Sequence, residues 1–432
     1  MTFDISRRLI MVAATGSAIA LSFTSSAFAI TKLTFLVDNS PSNVTVAEAL
    51  ASAFSAKNPD ISVEVEVRAG GAEGDNIMKT RLATGEMNDV FMYNSGSLFH
   101  ALNPQQNMLD LSDEPYQSDI MDMFKSVVSE NGRVYGAPFQ TAMGGGIFYN
   151  KKIYAELGLT VPKTWAEFMK NNAIIKEKSK AAPVVQSFKD TWTSQLFFLG
   201  DFYNVLQAAP NFPNDFTENK AKFSTTPAAM RGFEHQADVF KAGYLNEDFG
   251  SASYNDALRL VATGEGVHYP MLSFAIANLV DDYPNAATEV GYFAMPGDDA
   301  TQNGLTAWMA NGIYGYAQTE HPDEAKKFIA FVASKDGCDV QTKAVGAIGP
   351  YMTKSCKLPE DVPAATKDLV AYFDEGGKNA PALEFLSPVK GPALEQITVE
   401  IGSGIRSPLD GAKLYDEDVR KQALQLGLPG WE

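Results

Sequence analysis

The sequence GAPFQTAMGGGIFYNKKIYAELGLTVPKTWAEF, residues 136–168, indicates a chain that leaves one structural unit and enters another. An apolar strand containing Pro138 comes first, and three glycines at 144–146 separate it from a second strand that ends at Asn150. Because glycine lacks the Cβ atom that restricts φ and ψ, this run predicts a bendable link. We therefore expect the function to lie between two lobes.

The first 29 residues have the pattern of a secretory signal. Arg7 and Arg8 form a basic region, an apolar run follows, and residues 27–29 (Ala-Phe-Ala) form a small-x-small cleavage sequence. Sec-type export with cleavage after Ala29 is expected, and the Arg7-Arg8 pair leaves twin-arginine export open. No cysteine follows the apolar run to accept a lipid, so the sequence predicts a periplasmic protein without a membrane anchor.

Length and composition predict a globular protein of about two domains. The chain has 432 residues, of which 45% are hydrophobic and 20% charged. The formal charge is −17 with the signal, which disfavours nucleic acid as a partner through repulsion. The two cysteines, Cys338 and Cys356, fit one disulfide in an oxidising compartment, a pairing that stands as a hypothesis. Two cysteines are too few for a thiolate metal site.

The N-terminal part reads as alternating strands and helices. Residues 32–37 predict a buried strand, residues 46–54 a helix and residues 61–67 a strand with period-two alternation. Strand, helix, strand predicts a parallel pair. A third strand at 89–93 and the two strands before it all end in polar loops, at the sheet edge where open α/β folds bind ligands.

Several short motifs then combine into one pattern. They are Lys-Asn-Pro at 57–59, KTRLATGEMNDV at 79–90, GRVYGAPF at 132–139, FYNKK at 148–152 and GLTVPKTWAEF at 158–168. In this order they resemble the extracellular solute-binding proteins of sugar ABC transporters, which are type II periplasmic binding proteins of the maltose-binding kind. Thr164 and Glu167 also form a capping-box pattern at the start of a helix, and Trp165 in its first turn is expected to be a packing residue and not a platform for ligand.

The resemblance covers nearly the whole mature chain and implies a two-lobed α/β fold. Each lobe would hold a mostly parallel sheet flanked by helices, with about three hinge crossings between the lobes. It places residues 30–142 and 306–348 in lobe 1, and residues 143–305 and 349–432 in lobe 2. The run 143–146 would be the first crossing.

The resemblance also implies a function. The protein would capture a neutral mono- or oligosaccharide between its lobes and deliver it to the permease subunits of an ABC importer. It would act as a monomer and not as an enzyme, with no cofactor, no metal and no nucleic acid partner.

A sugar site needs hydrogen-bonding side chains and aromatic rings that stack on the apolar face of a pyranose. The candidates are Asn39, Ser40, Asp75, Asn76, Tyr93, Asn94 and Ser95 in lobe 1, Asp190, Trp192, Phe274 and Trp308 around lobe 2, and Gln140 and Tyr351 near crossings. Phe274 lies where family members often present an aromatic ring to the sugar. Each candidate has a structural alternative: a turn for Asn39 and Ser40, a helix cap for Asp75, and core packing for Phe274.

Two other functions stay open at this stage. The many Asp and Glu residues allow an exported carbohydrate hydrolase or lyase, whose carboxylate pairs the sequence cannot locate. However, no H-E-x-x-H or G-x-S-x-G motif is present. The second alternative is a polyamine-binding protein of the same fold, which the acidic balance permits.

Overall fold

The computed structural model describes residues 30–374 and 377–432, so the predicted signal at 1–29 lies outside the described residues. Two large sheets and a small hairpin organise the chain. The strands are β1 (Thr31–Asp38), β2 (Ile61–Arg68), β3 (Val90–Tyr93), β4 (Ser129–Glu130), β5 (Arg133–Val134), β6 (Gly136–Phe139), β7 (Met143–Asn150), β8 (Ala182–Val184), β9 (Gly266–Leu272), β10 (Val290–Ala294), β11 (Leu305–Trp308), β12 (Asn311–Gly315) and β13 (Asn379–Pro381).

Helices flank both sheets, and the last two helices of the chain, α18 and α19, pack with α11 in a C-terminal helical layer. They are α1 (Pro41–Lys57), α2 (Gly71–Thr84), α3 (Ser97–His100), α4 (Pro104–Asn107), α5 (Asp122–Val127), α6 (Lys151–Leu157), α7 (Trp165–Lys178), α8 (Leu196–Leu199), α9 (Phe202–Ala208), α10 (Phe212–Thr217), α11 (Pro227–Lys241), α12 (Tyr254–Thr263), α13 (Ala275–Asp282), α14 (Ala286–Glu289), α15 (Pro322–Val332), α16 (Lys335–Val345), α17 (Ala364–Val370), α18 (Leu394–Gly402) and α19 (Pro408–Gln425). Within the described residues, no helix has the length and apolar character needed to cross a membrane.

The first sheet has the strand order β2-β1-β3-β12-β6. β1 pairs in parallel with β2 and β3, as the strand-helix-strand pattern predicts. α1 begins at Pro41, earlier than its apolar periodicity suggests, because proline fits the first turn of a helix. The sheet packs on the helices through aromatic contacts, such as Phe328 with Phe35 at 5.3 Å and with Phe54 at 5.1 Å between ring centroids.

The second sheet is built around β7, which pairs with β9, β10 and β11. All three pairings are antiparallel, whereas β8 with β9 and β11 with β13 are parallel. The mostly parallel pairing expected for this lobe is therefore limited to its edges. The predicted capping box at the start of α7 is present, and Trp165 is buried beside Phe168 as expected of a packing residue.

The three glycines at 144–146 lie inside β7, so the prediction that 143–146 forms a crossing is wrong. They are required by close packing. A Cβ atom on Gly145 would stand 2.4 Å from the ring of Trp308, and one on Gly146 would stand 2.4 Å from the backbone oxygen of Phe293. Glycine serves here by the absence of its side chain and not by backbone freedom.

The pairing of the strands locates the crossings between the lobes. The first runs through residues 140–142, between β6 of the first sheet and β7 of the second, and the second runs through residues 309–310, between β11 and β12. The proposed lobe boundary at 305/306 thus falls within β11 of the second sheet. Tyr351 and Thr353, which the sequence predicts in lobe 2, form bridges with Thr141 and Ile120 on the first-lobe side. The third crossing therefore follows Cys356, through residues 357–363, and leads to α17, which packs on β10 of the second sheet.

Cys338 and Cys356 form the disulfide that the sequence suggested. Cys338 lies in α16, which packs on α1 of the first lobe, and Cys356 follows the return of the chain near Tyr351. The bond therefore fastens the segment at the third crossing to the first lobe.

Reduction of this disulfide is expected to lower the free energy of unfolding by about 3 kcal/mol, because a closed loop of this length restricts the unfolded chain. The sequence separation of the two cysteines is 18 residues. Chemical denaturation with and without reductant would measure the loss, with the Cys338→Ser/Cys356→Ser double variant as the control that reductant should not affect. Equal stability of the oxidised and reduced proteins would contradict the prediction.

Candidate functional site

A cleft of about 430 Å³ opens between the two sheets and receives side chains from both lobes. Its lining comes from the loops after β1, β3 and β9, the first crossing, the strand ends beside the second crossing, the 3-10 helix Thr191–Gln195 and the C-terminal segment. The lining residues are Asp38, Ser40, Ser42, Asn43, Asn94, Leu98, Phe139, Gln140, Thr141, Met143, Trp192, Gln195, Leu196, Leu199, Leu272, Phe274, Trp308, Asn311, Ile348, Glu384 and Lys390.

The first-lobe wall is a polar network that follows β1. The Asp38 carboxylate accepts hydrogen bonds from the Ser40 backbone N–H and from Asn43 Nδ2, both at 2.9 Å. Asn43 Oδ1 in turn accepts from Gln140 Nε2 at 2.7 Å. Because these side chains hold one another, the wall presents fixed hydrogen-bonding atoms to the cleft.

Further polar groups of this wall are free to bind a ligand. The Asn94 side chain is exposed, and its backbone carbonyl accepts from the Tyr314 hydroxyl at 3.0 Å. The Thr141 hydroxyl is buried and has no hydrogen-bond partner among the described residues. Buried hydroxyl groups are normally hydrogen-bonded, and Thr141 is one of the residues that line the cleft.

The second-lobe wall carries an aromatic cluster. Trp192 lies 5.4 Å from Tyr254 and 6.1 Å from Phe274, measured between ring centroids, and Tyr254 and Phe274 are also 6.1 Å apart. The Trp192 side chain is 36% exposed, whereas most large aromatic residues of this lobe are buried. An exposed ring packed against two other aromatic rings is a rigid apolar platform.

Trp308 forms a second aromatic surface at the end of β11. Its ring lies against the backbone of Gly145 on the neighbouring strand β7, where any side chain would displace it. Only 6% of Trp308 is exposed, yet it lines the cleft together with Leu199 and Lys390. The indole can therefore occupy this position only because residue 145 has no side chain.

One ion pair lies at the C-terminal edge of the cleft. Lys390 Nζ is 3.4 Å from Glu384 Oε2, and both side chains are partly exposed. Asp38 and Glu384 are the carboxylates that line the cleft, one from each side, and each is already engaged by a neighbour. Among the described residues, no group of three or more His, Cys, Asp or Glu side chains is arranged to hold a metal ion.

Six of the thirteen residues singled out from the sequence line the cleft. They are Ser40, Asn94, Gln140, Trp192, Phe274 and Trp308. Asn39 is exposed beside Gly70, Asn76 is exposed on α2, and Ser95 is buried with its hydroxyl donating to the Ala310 carbonyl at the second crossing.

Four other predicted residues have structural partners instead of facing the cleft. Tyr93 is fully buried and donates to Asp75 Oδ1 at 2.8 Å, and this burial raises the pKa of the Tyr93 hydroxyl. Asp190 accepts from the Tyr254 backbone N–H at 2.7 Å, so it positions the aromatic cluster from behind. The Tyr351 hydroxyl donates to the Cys338 carbonyl at 3.1 Å.

Sequence reasoning missed several lining residues. Asp38 ends the first strand and Asn311 follows the second crossing, so strand-end position was a signal that could have found both. Glu384 and Lys390 lie in a segment with little regular structure and carry no local motif. Only tertiary packing brings these two to the cleft.

A two-lobed α/β fold whose cleft is lined from both lobes defines a class of binding protein that encloses its ligand. A family model described as "Bacterial extracellular solute-binding protein" matches residues 39–337, and the chain belongs to this family. The predicted family and fold class are confirmed.

Two curated relatives extend this comparison. The multiple sugar-binding protein of Streptococcus mutans is 28% identical over 74% of this chain and 75% of its own. The melibiose/raffinose/stachyose-binding protein MelE of Bacillus subtilis is 26% identical over 66% of each chain.

Solved structures share the fold at low sequence identity. The solute-binding protein RafE in complex with raffinose superposes with a TM-score of 0.74 at 22% identity, over 90% of this chain and 99% of that one. The GacH receptor of Streptomyces glaucescens gives a TM-score of 0.72 at 18% identity, over 91% and 98%.

Proposed function

We propose that this protein captures a neutral carbohydrate between its lobes and delivers it to the membrane permease of an ABC importer. The observation that carries the proposal is the pairing of an aromatic wall, with Trp192 and Trp308, and a polar wall, with Asn43 and Thr141, in one cleft. A pyranose needs both kinds of surface, rings for its C–H face and fixed polar atoms for its hydroxyls.

The relatives support this ligand class, since one is named a multiple sugar-binding protein and the other a melibiose/raffinose/stachyose-binding protein. We also propose that the signal at 1–29 exports the protein and that it acts in the periplasm as a monomer. A polyamine fits less well, because Lys390 adds a positive charge to the cleft and the lining carboxylates Asp38 and Glu384 are already engaged.

The crossings connect the ligand wall to the hinge. Gln140, in the first crossing, has φ of 64°, a left-handed conformation that costs a non-glycine residue about 1–3 kcal/mol. Its backbone N–H donates to Gln341 Oε1 at 2.8 Å, and its side chain donates to Asn43 of the cleft wall. Ligand contacts at Asn43 would therefore act directly on a crossing, and closure follows if the closed state binds the sugar more tightly.

A screen of mono-, di- and trisaccharides, sugar alcohols and polyamines by thermal denaturation tests the ligand class. A carbohydrate that binds the folded protein should raise the melting temperature in a concentration-dependent way. Small-angle scattering at saturation should then show a smaller radius of gyration. Stabilisation by polyamines alone would replace the carbohydrate proposal, and turnover of an oligosaccharide by the pure protein would favour the hydrolase or lyase alternative.

Trp192→Ala is expected to weaken carbohydrate binding by about 1–3 kcal/mol, a range taken from stacking of other rings on aromatic side chains. Since this indole is 36% exposed, the variant should lose less stability than truncation of a fully buried tryptophan would cause. Isothermal titration calorimetry with the sugar identified in the screen measures the loss. Asn76→Ala serves as the control that should keep wild-type affinity, because Asn76 is exposed on α2 and is not among the residues that line the cleft. Unchanged affinity in Trp192→Ala would remove Trp192 from the site.

A further inference from the structure

A second cavity, of about 260 Å³, lies in the second lobe and shares no lining residue with the cleft. We call it the outer cavity. Its wall combines α9, α11 and the loop after β10, and its polar side chains include Asp201, Asn204, Gln207, Arg231, His235 and Gln302. The proposed function leaves this cavity without a role.

The inner end of the outer cavity carries unsatisfied polar groups. Asp201 and His235 are each only 1% exposed. Asp201 Oδ2 and both ring nitrogens of His235 have no hydrogen-bond partner among the described residues, and Asp201 Oδ1 lies 3.9 Å from His235 Nδ1. Buried polar groups are normally hydrogen-bonded, and Asp201 and His235 both line the outer cavity, so a molecule bound in this cavity is the partner that the fold leaves room for.

These two side chains are held in place by their neighbours. The His235 imidazole stacks on Trp165 with 3.7 Å between ring centroids and 21° between planes. Asn204 Nδ2 donates to Asp201 Oδ1 at 2.7 Å. Gly297 keeps room for Asn204, because a Cβ atom there would stand 2.6 Å from its amide oxygen. The inner end is thus a preformed set of donors and acceptors.

The charges around the cavity are paired with one another. Arg231 binds both oxygens of Asp298, at 2.9 and 3.1 Å, and Glu234 at 2.7 Å. Asp299 accepts from the Thr301 backbone and hydroxyl. Among the described residues that line the cavity, Arg231 supplies the positive charge and is already paired, so an anion would meet the carboxylates of Asp298 and Asp299, which disfavours phosphate or carboxylate ligands.

Cations and metals are also poor candidates. Burial raises the pKa of Asp201 to about 8, so its carboxyl group is mostly uncharged near neutral pH, and the positive charge of Arg231 is nearby. Burial, and secondarily Arg231, lowers the pKa of His235 well below its usual range, which keeps the imidazole neutral. One carboxyl and one imidazole fall short of the three or four protein ligands of a typical zinc site.

We propose that the outer cavity binds a small neutral molecule with several hydroxyl groups, such as a polyol or a single monosaccharide. Hydroxyls both donate and accept, which matches a carboxyl group, a neutral imidazole and the amides of Asn204 and Gln302. The volume is several times the roughly 30 Å³ that one water occupies, so a molecule of this size has room.

The four tryptophans allow this site to be read separately from the cleft. In protein labelled with 5-fluorotryptophan, Trp165 reports the outer cavity, Trp192 and Trp308 report the cleft, and the buried Trp431 serves as a reference for nonspecific effects. We expect the fluorine resonance of Trp165 to shift saturably on titration with at least one of glycerol, erythritol and glucose. The titration is repeated with the cleft variant Trp192→Ala, in which the Trp165 response should persist.

His235→Phe is the matched variant, because it keeps an aromatic ring on Trp165 and removes both nitrogens. It should weaken binding at Trp165 at least tenfold and leave carbohydrate affinity at the cleft unchanged. Asp201→Ala provides a second test should the first variant fold poorly. A Trp165 resonance that none of the three probes shifts saturably, or a response equal to wild type in the variants, would overturn the proposal. If carbohydrates shift the Trp165 resonance of the wild-type protein but not those of Trp192 and Trp308, the result counts against the proposed transport function and not against the outer cavity.

Discussion

Trp308→Ala is expected to lower both carbohydrate affinity and stability. Removing the ring deletes a stacking surface, which should weaken binding by about 1–3 kcal/mol. Because Trp308 is only 6% exposed and packs on Gly145, its truncation also leaves a cavity, and unfolding should become easier by about 3–5 kcal/mol. Calorimetric titration well below the melting temperature measures the first effect, and denaturant unfolding measures the second.

Trp431→Ala is the control for this experiment. Trp431 is 2% exposed, donates to the Thr217 carbonyl at 2.8 Å and packs in the C-terminal helical layer away from the cleft. It should lose comparable stability and retain affinity. If both variants lose affinity equally, the effect of Trp308 is global destabilisation and not ligand stacking. If Trp308→Ala binds like wild type, its ring does not contact the sugar.

The second large effect concerns pH. Burial raises the pKa of Asp201 to about 8 from a usual value near 4. Between these values the unfolded chain has lost this proton and the folded protein keeps it. The contribution of Asp201 to the free energy of unfolding is therefore fully present below pH 4 and is lost as pH rises towards 8. Each pKa unit corresponds to 1.36 kcal/mol, so the loss is on the order of 5 kcal/mol. Asp201→Asn should remove this loss.

The measurement is the free energy of unfolding from pH 4 to pH 9 for wild type and Asp201→Asn. Comparison with the variant is needed because burial lowers the pKa of His235 and brings that of His268 to about 3. These histidines act in the opposite direction: their contribution is lost as pH falls below the usual value near 6.5. The difference between the two curves should change steadily from pH 4 to pH 8, and parallel curves would show that Asp201 is charged or solvated in the folded state.

The transport proposal places the essential contacts on opposite walls of one cleft. Trp192, Phe274 and Trp308 supply rings, and the network of Asp38, Asn43 and Gln140 supplies polar atoms tied to the first crossing. A sugar bound between these two walls would contact both the polar network attached to the first crossing and the aromatic cluster around Trp192. Closure then follows from contacts that exist only when both lobes meet the same ligand.

The sequence by itself predicted the features that depend on neighbouring residues, such as strands, a helix start and strand-end loops. Alternation and buried apolar runs located β1, β2 and β3, and the Thr164–Glu167 capping box fixed the start of α7. Strand ends pointed to Ser40 and Asn94, since parallel strands bring their carboxyl ends to one edge. The family motifs in residues 57–168 were sufficient for the two-lobed class.

Tertiary structure alone decided the rest. The glycines at 144–146 were expected to bend, but they lie within a strand because Trp308 and the backbone of β10 approach them too closely for a side chain. Asp190 and Tyr93 carry groups suited to a sugar, yet Tyr254 and Asp75 occupy those groups. Glu384 and Lys390 reach the cleft only through long-range packing. A sequence shows which groups a residue offers, whereas the fold determines which partners satisfy them first.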